Sequence, residues 1–164
     1  MKIITRYWVS LVLFICSTAI IIALIAEHIF NILPCQMCLY QRYPYYFIII
    51  LSLIFFIVNK FPIKLYYFLS AFSFILGLFF SLWHVGIEKE ILPSLGGCGS
   101  SINITESLKE IREQIINQNI ISCSEITWSF LGLSAATINS LLLTFLLILN
   151  LLIIFRENKK IIKH

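Results

Sequence analysis

Four long apolar runs alternate with short polar segments along the chain. They cover residues 8–26, 43–58, 65–85 and 130–155. An α-helix needs about 20 mostly apolar residues to cross the hydrocarbon core of a bilayer, and the runs are close to that length. The pattern therefore predicts an all-α membrane protein, a bundle of four transmembrane helices that forms one integral membrane domain over residues 1–164.

The first apolar run has a competing interpretation as a cleaved signal peptide. Such peptides have an apolar region of about 7–15 residues and a cleavage site made of small residues. The run over residues 8–26 is longer, and Leu24-Ile25-Ala26 is a poor cleavage site. We therefore expect a retained helix.

Four residues inside the runs are unusual for helices in lipid. Cys16 is expected to be a buried free thiol that packs like a small apolar side chain. Pro44 is expected in the first turn of its helix, where the missing N–H costs nothing. Asn139 and Asn150 are expected to form hydrogen bonds across helices.

The polar segments form two outer loops and one tight turn. Residues 27–42 and 86–129 are the loops, and residues 59–64 form the turn, which makes the second and third runs antiparallel neighbours. Residues 105–121 in the second loop place apolar side chains on one helical face: Leu108, Ile111, Ile115 and Ile116. This spacing predicts a short amphipathic helix that lies in the membrane interface.

Composition supports the membrane assignment. Apolar residues make up 60% of the chain and charged residues 12%, whereas soluble domains contain about 25% charged residues. The net charge is +4, but the basic residues do not form the stripe that is typical of nucleic-acid binding. We therefore expect lipid, and no nucleic acid, among the partners.

The distribution of charge predicts the orientation in the membrane. The N-terminal end, the 59–64 turn and the C-terminal tail are rich in Lys and Arg, whereas the charged residues of the 86–129 loop are mostly Glu. Cytoplasmic segments of membrane proteins are enriched in basic residues. Both termini are therefore expected in the cytoplasm and both long loops on the outer side, which is the periplasm for a bacterial inner membrane.

Four of the five cysteines fall in these outer loops: Cys35, Cys38, Cys98 and Cys123. The periplasm is oxidising, so cysteines there can form disulfides. The Cys-x-x-Cys spacing of the first pair is typical of redox pairs, but it also serves as half of a zinc site.

The second pair, Cys98 and Cys123, follows a glycine-rich stretch and would close a loop that a partner protein can reach. A structural bridge worth about 3–4 kcal/mol is an alternative. Zinc bound by both pairs is another, but no cluster of histidines or carboxylates in the sequence supports it, and we expect no metal. Two pairs on one side favour an electron relay by thiol–disulfide exchange.

Arg42 lies four residues after Cys38, at the start of the second run. The sequence has no nucleotide-binding or haem-binding motif, which favours a lipid-soluble electron acceptor. A guanidinium at this depth can donate hydrogen bonds to a quinone carbonyl. An arginine that merely extends its charge to the interface is an equal alternative.

These residues together resemble the disulfide bond formation protein B family, the quinone-dependent thiol oxidases of the bacterial inner membrane. The resemblance rests on Pro34-Cys35-Gln36-Met37-Cys38 followed by Arg42, on four spans, and on a second cysteine pair in the second outer loop. The segments from Trp83 to Glu88 and from Cys123 to Ser134 are similar to the alphaproteobacterial branch.

The resemblance implies a role for each cysteine pair. Cys98 and Cys123 would form the disulfide that oxidises a periplasmic thioredoxin-like thiol oxidase. Cys35 and Cys38 would reoxidise that pair and pass the electrons to ubiquinone or menaquinone. Cys38 would be the quinone-side thiol and Arg42 the quinone contact. Gln41 replaces the acid that precedes the arginine in well-known members, so any role of that acid is absent here.

Three points remain open. His84 and Glu88 lie one helical turn apart and form either an interfacial pair or a group that tunes proton uptake. A vitamin K epoxide reductase-like protein also has four spans and two cysteine pairs, but there the Cys-x-x-Cys follows the loop pair in the chain. A non-enzymatic membrane scaffold with permanent structural disulfides is a further alternative to the thiol oxidase.

Overall fold

The computed structural model describes residues 2–58, 61–93, 123, 129–130 and 132–162. Four α-helices dominate this part of the chain: α1 (Lys2–His28), α2 (Gln36–Ile57), α3 (Ile63–Glu88) and α4 (Ala135–Ile162). Two short strands, β1 (Ser129–Phe130) and β2 (Leu133–Ser134), pair antiparallel just before α4. All four helices are long and apolar enough to cross a membrane, which confirms the predicted four-helix membrane fold.

The helices begin and end at different residues from the predicted spans. α2 begins at Gln36, so Cys38 and Arg42 lie in its first turns rather than in a loop. α4 begins at Ala135, after the β1–β2 hairpin, rather than at residue 130. The predicted bounds follow hydropathy, which reports membrane depth, whereas a helix can continue through polar residues beyond the lipid.

Pro44 lies inside α2 rather than in its first turn, and the expectation that its missing N–H costs nothing was wrong. A proline at this position removes a hydrogen bond from the helix. The Ser73 hydroxyl of α3 donates to the Pro44 carbonyl at 3.0 Å. Gly77 allows this close packing, because a Cβ there would lie 3.3 Å from Pro44 Cβ and 3.1 Å from Leu143 Cδ1.

Asn150 joins three helices in the bundle interior. Its Oδ1 accepts a hydrogen bond from Trp8 Nε1 at 3.3 Å, and its Nδ2 donates to the Tyr67 carbonyl at 3.1 Å. The expected hydrogen bonds across helices are therefore confirmed for this residue. Cys16 is a fully buried free thiol in the same core, as expected.

A second, smaller buried cluster lies at the other end of the bundle. It contains Cys35, Met37, Ile87 and Cys123. The cluster joins the start of α2 to the end of α3 and to the loop that follows. Two predictions, the role of Cys98 and the amphipathic helix at residues 105–121, lie outside the described residues.

Candidate functional site

The Cys-x-x-Cys pair lies at the N-terminus of α2, and both cysteines are free thiols. Cys35 is the N-cap residue, and its Sγ accepts a hydrogen bond from the Cys38 backbone N–H at 3.3 Å. The two sulfurs are 2.9 Å apart and share a hydrogen bond. Because the spacing places Cys38 one turn into the helix, the first turn brings both thiols together.

Cys35 is in an environment that favours its thiolate. The hydrogen bond with Cys38 lowers the pKa of Cys35 to about 4, against the opposing effect of burial and with a further contribution from His84. The N-terminus of a helix also stabilises a negative charge. The arrangement therefore favours the thiolate form of Cys35.

His84 joins this pair from α3. Its Nε2 is 3.6 Å from Cys35 Sγ and 4.0 Å from Glu88 Oε1. The sequence indicated the pairing of His84 with Glu88 but not the contact with Cys35, because nothing in a single sequence shows how two helices are rotated against each other. His84 therefore belongs to the thiol site as well as to the pair with Glu88.

Three side chains at the site have metal-ligating atoms within 4.8 Å of one another: Cys35, Cys38 and His84. Two thiolates on one tetrahedral zinc lie about 3.8 Å apart, given a Zn–S bond of about 2.3 Å. The two sulfurs here are closer, at 2.9 Å. In the described conformation the two thiols therefore contact each other, and a tetrahedral ion would require the sulfurs to move apart.

Cys123 lies beside the dithiol and is disulfide-bonded. It is fully buried in the cluster that contains Cys35. A backbone hydrogen bond also joins Cys123 to His84. The structure thus brings one member of the second predicted pair next to the first pair, although the two are far apart in the sequence.

A cavity of about 650 Å³ opens beside the dithiol. Its wall consists mainly of aliphatic side chains of α1 and α4, including Ile15, Ala19 and Ile138. Polar groups line part of the wall: Cys38, Gln41, Arg42, His84 and Asn139. Ligand-binding cavities of this kind are mostly apolar, with a few polar groups that orient the ligand. The size and lining fit a mostly apolar ligand that carries a few polar atoms.

Arg42 lines the cavity and forms an ion pair with Glu27. Its Nη1 is 2.7 Å from Glu27 Oε2, and both side chains are mostly shielded from solvent. The predicted site residue Arg42 is therefore close to the cavity that adjoins Cys38. Glu27 was not predicted, although it is the single acid of the first outer loop and Arg42 is its single base.

A chain of polar side chains crosses the bundle behind His84. Gln41 Nε2 lies 2.8 Å from His84 Nδ1, and Asn139 Nδ2 donates to Gln41 Oε1 at 2.7 Å. Tyr45 donates its hydroxyl to Asn139 Oδ1. Asn139 thus forms the hydrogen bonds across helices that its position in an apolar run predicted.

The low pKa of Cys35 gives a testable pH dependence. A lowered pKa keeps the reduced Cys35 charged above the folded-state value, so the thiolate should be lost only when the pH falls through about 4. We expect the ultraviolet thiolate absorbance of the reduced protein to persist at pH 6 and to be absent there in the Cys35→Ser variant.

The Cys38→Ala variant is the control for the cause of this shift. It removes the hydrogen bond that lowers the pKa most, so its titration midpoint should move well toward the ordinary value of about 8.5. A wild-type midpoint above pH 8 would contradict the proposed thiolate.

Comparison with known proteins identifies the family. The family described as "Disulfide bond formation protein DsbB" matches residues 5–153. An uncharacterized protein of Rickettsia prowazekii is 36% identical over 144 residues, which cover 84% of this chain and 81% of the relative. No solved structure matches the chain.

Two further relatives are both described as "Disulfide bond formation protein B". The protein from Marinobacter nauticus is 26% identical over 161 residues, covering 93% of this chain and 94% of the relative. The protein from Acinetobacter baylyi is 28% identical over 120 residues, covering 68% of each chain. With four membrane-spanning helices and a family match over nearly its whole length, the chain is a multi-pass bacterial membrane protein that belongs to the DsbB family of disulfide bond formation proteins.

Proposed function

We propose that this protein is a membrane thiol oxidase that reoxidises a periplasmic thioredoxin-like disulfide donor and passes the electrons to a membrane quinone. Family membership supports the disulfide-forming activity. The observation that supports the electron path is the position of the Cys35–Cys38 dithiol: Cys35 shares a buried cluster with Cys123, and Cys38 lines the apolar cavity.

The proposed path has two disulfide exchanges. The dithiol of the donor attacks the disulfide formed by Cys98 and Cys123, so the donor leaves with a disulfide and the loop pair receives two electrons and two protons. The loop pair then reduces a Cys35–Cys38 disulfide in the same way. The described state, with free Cys35 and Cys38 thiols and a disulfide-bonded Cys123, corresponds to the step after this second exchange.

The cavity residues provide the site for the acceptor. Arg42 would bind a quinone carbonyl, and the aliphatic wall would hold the ring and the first part of the tail. A bound ubiquinone or menaquinone would accept the two electrons and two protons that are released when Cys35 and Cys38 close to a disulfide. Cys38, which lines the cavity, is the quinone-side thiol.

The proposed orientation follows from charge. Basic residues are enriched at both ends of the chain and in the turn between α2 and α3, which favours a cytoplasmic location for these segments. The cysteine loops then face the periplasm of the inner membrane, where the thiol-bearing donor would be found.

The alternatives fit the findings less well. The family match and the cysteine order favour this oxidase over a vitamin K epoxide reductase-like protein. Free thiols at Cys35 and Cys38 are unfavourable for a scaffold with permanent disulfides, because such a scaffold would hold both cysteines in a bridge.

The proposal is tested by following quinone and thiols together. Purified protein in detergent is mixed with a reduced thioredoxin-like donor and short-chain ubiquinone or menaquinone analogues. Quinone reduction and donor oxidation are measured by absorbance and by maleimide trapping of thiols. We expect one quinol for each donor disulfide. Donor oxidation without quinone reduction, or cysteine pairs that never change state, would overturn the proposal.

A further inference from the structure

The series of hydrogen-bonded side chains behind the dithiol has a fixed donor-to-acceptor direction. Ser81 determines this direction. The Ser81 hydroxyl of α3 lies 2.8 Å from the backbone carbonyl of Ala136 in α4. A carbonyl oxygen can only accept a hydrogen bond, so Ser81 must donate its single proton there. The oxygen of Ser81 then has only acceptor capacity left for any other neighbour.

This constraint fixes the orientation of the Asn139 amide. The Asn139 side chain lies 3.3 Å from Ser81 Oγ and 2.7 Å from the Gln41 amide. Because Ser81 can only accept, the atom of Asn139 that faces it must be the donor Nδ2. The opposite atom, Oδ1, then faces the Tyr45 hydroxyl, which donates to it. Every polar atom of Asn139 thus has a partner of the right kind.

The orientation of the Asn139 amide determines the orientation of the Gln41 amide. Gln41 in turn determines which ring nitrogen of His84 is protonated. Since Asn139 presents an N–H, Gln41 must present its oxygen to Asn139 and its Nε2 to His84 Nδ1, at 2.8 Å. An amide N–H facing a ring nitrogen requires a lone pair on that nitrogen. His84 Nδ1 is therefore unprotonated, and the ring proton is on Nε2, the atom that faces Cys35 Sγ at 3.6 Å.

Glu88, one helical turn after His84 in α3, is compatible with the same placement of the ring proton. Glu88 Oε1 lies 4.0 Å from His84 Nε2, and the other oxygen of Glu88 accepts the Ser134 hydroxyl. Among the charged and titratable groups near His84, Cys35 and Glu88 both face Nε2, whereas Arg42 is paired with Glu27. The two acidic side chains that contact the His84 ring, Cys35 and Glu88, thus both lie at Nε2.

We infer that Gln41 and Asn139 are positioning residues, which hold His84 as the neutral tautomer with its proton on Nε2 and directed at the sulfur of Cys35. An N–H aimed at this sulfur stabilises the thiolate of Cys35, both as the product of exchange with the loop pair and before it closes the disulfide with Cys38. An acid at position 41 would reverse this arrangement, because a carboxylate has only acceptors and calls for a proton on Nδ1.

The tautomer can be measured directly in the full-length protein. The reduced protein is purified in detergent with isotope-labelled histidine, and the nitrogen chemical shifts of His84 are identified by their loss in the His84→Asn variant. We expect a protonated Nε2 and an unprotonated Nδ1 in the wild type at neutral pH. A proton on Nδ1, alone or in the doubly protonated ring, would overturn the inference.

Two nearly isosteric variants test the direction of the chain. Gln41→Glu should move the Nδ1 resonance into the protonated range. With its carboxyl ionised, Asn139→Asp should do the same without touching His84, because Gln41 must then turn its N–H toward the new carboxylate and its oxygen toward the ring. Asn150→Asp is the matched control, since Asn150 is also buried but bonds to Trp8, Tyr67 and Ser70.

The outcomes are decisive in each case. A folded Asn139→Asp variant that retains an unprotonated Nδ1 would refute the control of His84 by Asn139 through Gln41. An equal change of the His84 resonances in Asn150→Asp would refute it as well. If the variants do not fold, the wild-type tautomer decides alone. The role in thiolate chemistry rests on the proposed function, but the tautomer is read in the resting protein, so failure of one is distinguishable from failure of the other.

Discussion

Replacing Cys38 with serine should abolish quinone-coupled turnover, with a loss of at least about 100-fold to the level of the background reaction. A hydroxyl cannot form a disulfide with Cys35, so the two electrons that arrive from the loop pair have no route to the cavity. Cys38 lines that cavity, whereas Cys35 is buried in the cluster with Cys123. The measurement is quinone reduction with the reduced donor in excess.

The matched control for this variant is Cys16→Ala. It also removes one free thiol, but Cys16 is buried in the bundle core among apolar side chains. Its quinone-coupled rate should stay within about two-fold of the wild type once the amount of folded protein is equalised. A Cys38→Ser variant that retains the wild-type rate would refute the electron path through the first cysteine pair.

Replacing Arg42 with glutamine should raise the KM for quinone by about 10- to 100-fold and leave disulfide exchange with the donor intact. A hydrogen bond from a charged donor is worth about 1.5–3 kcal/mol, and each 1.4 kcal/mol is about a factor of ten in affinity. The Arg42 guanidinium is largely shielded from solvent, which preserves its electrostatic strength. The KM for a short-chain quinone analogue is the quantity to measure.

Arg6→Gln is the comparison for loss of a basic residue. Arg6 lies near the start of α1 and is exposed, far along the helix from Glu27 and the cavity. Its KM for quinone should be unchanged. If Arg42→Gln leaves the KM for quinone unchanged while Cys38→Ser is inactive, the guanidinium is an interfacial charge and the quinone is held by other cavity residues.

The helices and the proximity of the Cys35 and Cys38 thiols could be predicted from the sequence because both depend on local information. Hydropathy identifies a span without knowledge of its neighbours, and Cys-x-x-Cys brings two thiols together within one helical turn. The start of α2 at Gln36 was not predictable in this way, since the capping of the helix by Cys35 occurs in polar sequence that has the composition of a loop. Pro44 inside α2 was missed for the same reason.

The contacts that complete the site depend on how the helices are rotated. The sequence suggested that Asn139 would bond across helices, but not that it would meet Gln41 and Ser81. Likewise, His84 was recognised as a partner of Glu88, whereas its contact with Cys35 needs α2 and α3 to pack with one relative rotation. Such contacts depend on the packing of the whole core. They cannot be inferred from the pattern of residue types along one sequence.

The wall of the cavity determines in which units the concentration of its ligand should be expressed. Phe14 and Ile22 line the cavity and are also exposed on the outer surface of α1, which faces hydrocarbon in a membrane. A ligand that enters past these side chains comes from the bilayer, where an apolar molecule partitions in preference to water. Its effective concentration is then a mole fraction in lipid or detergent. Saturation curves for this protein should coincide when plotted per amphiphile molecule and should separate when plotted against aqueous concentration.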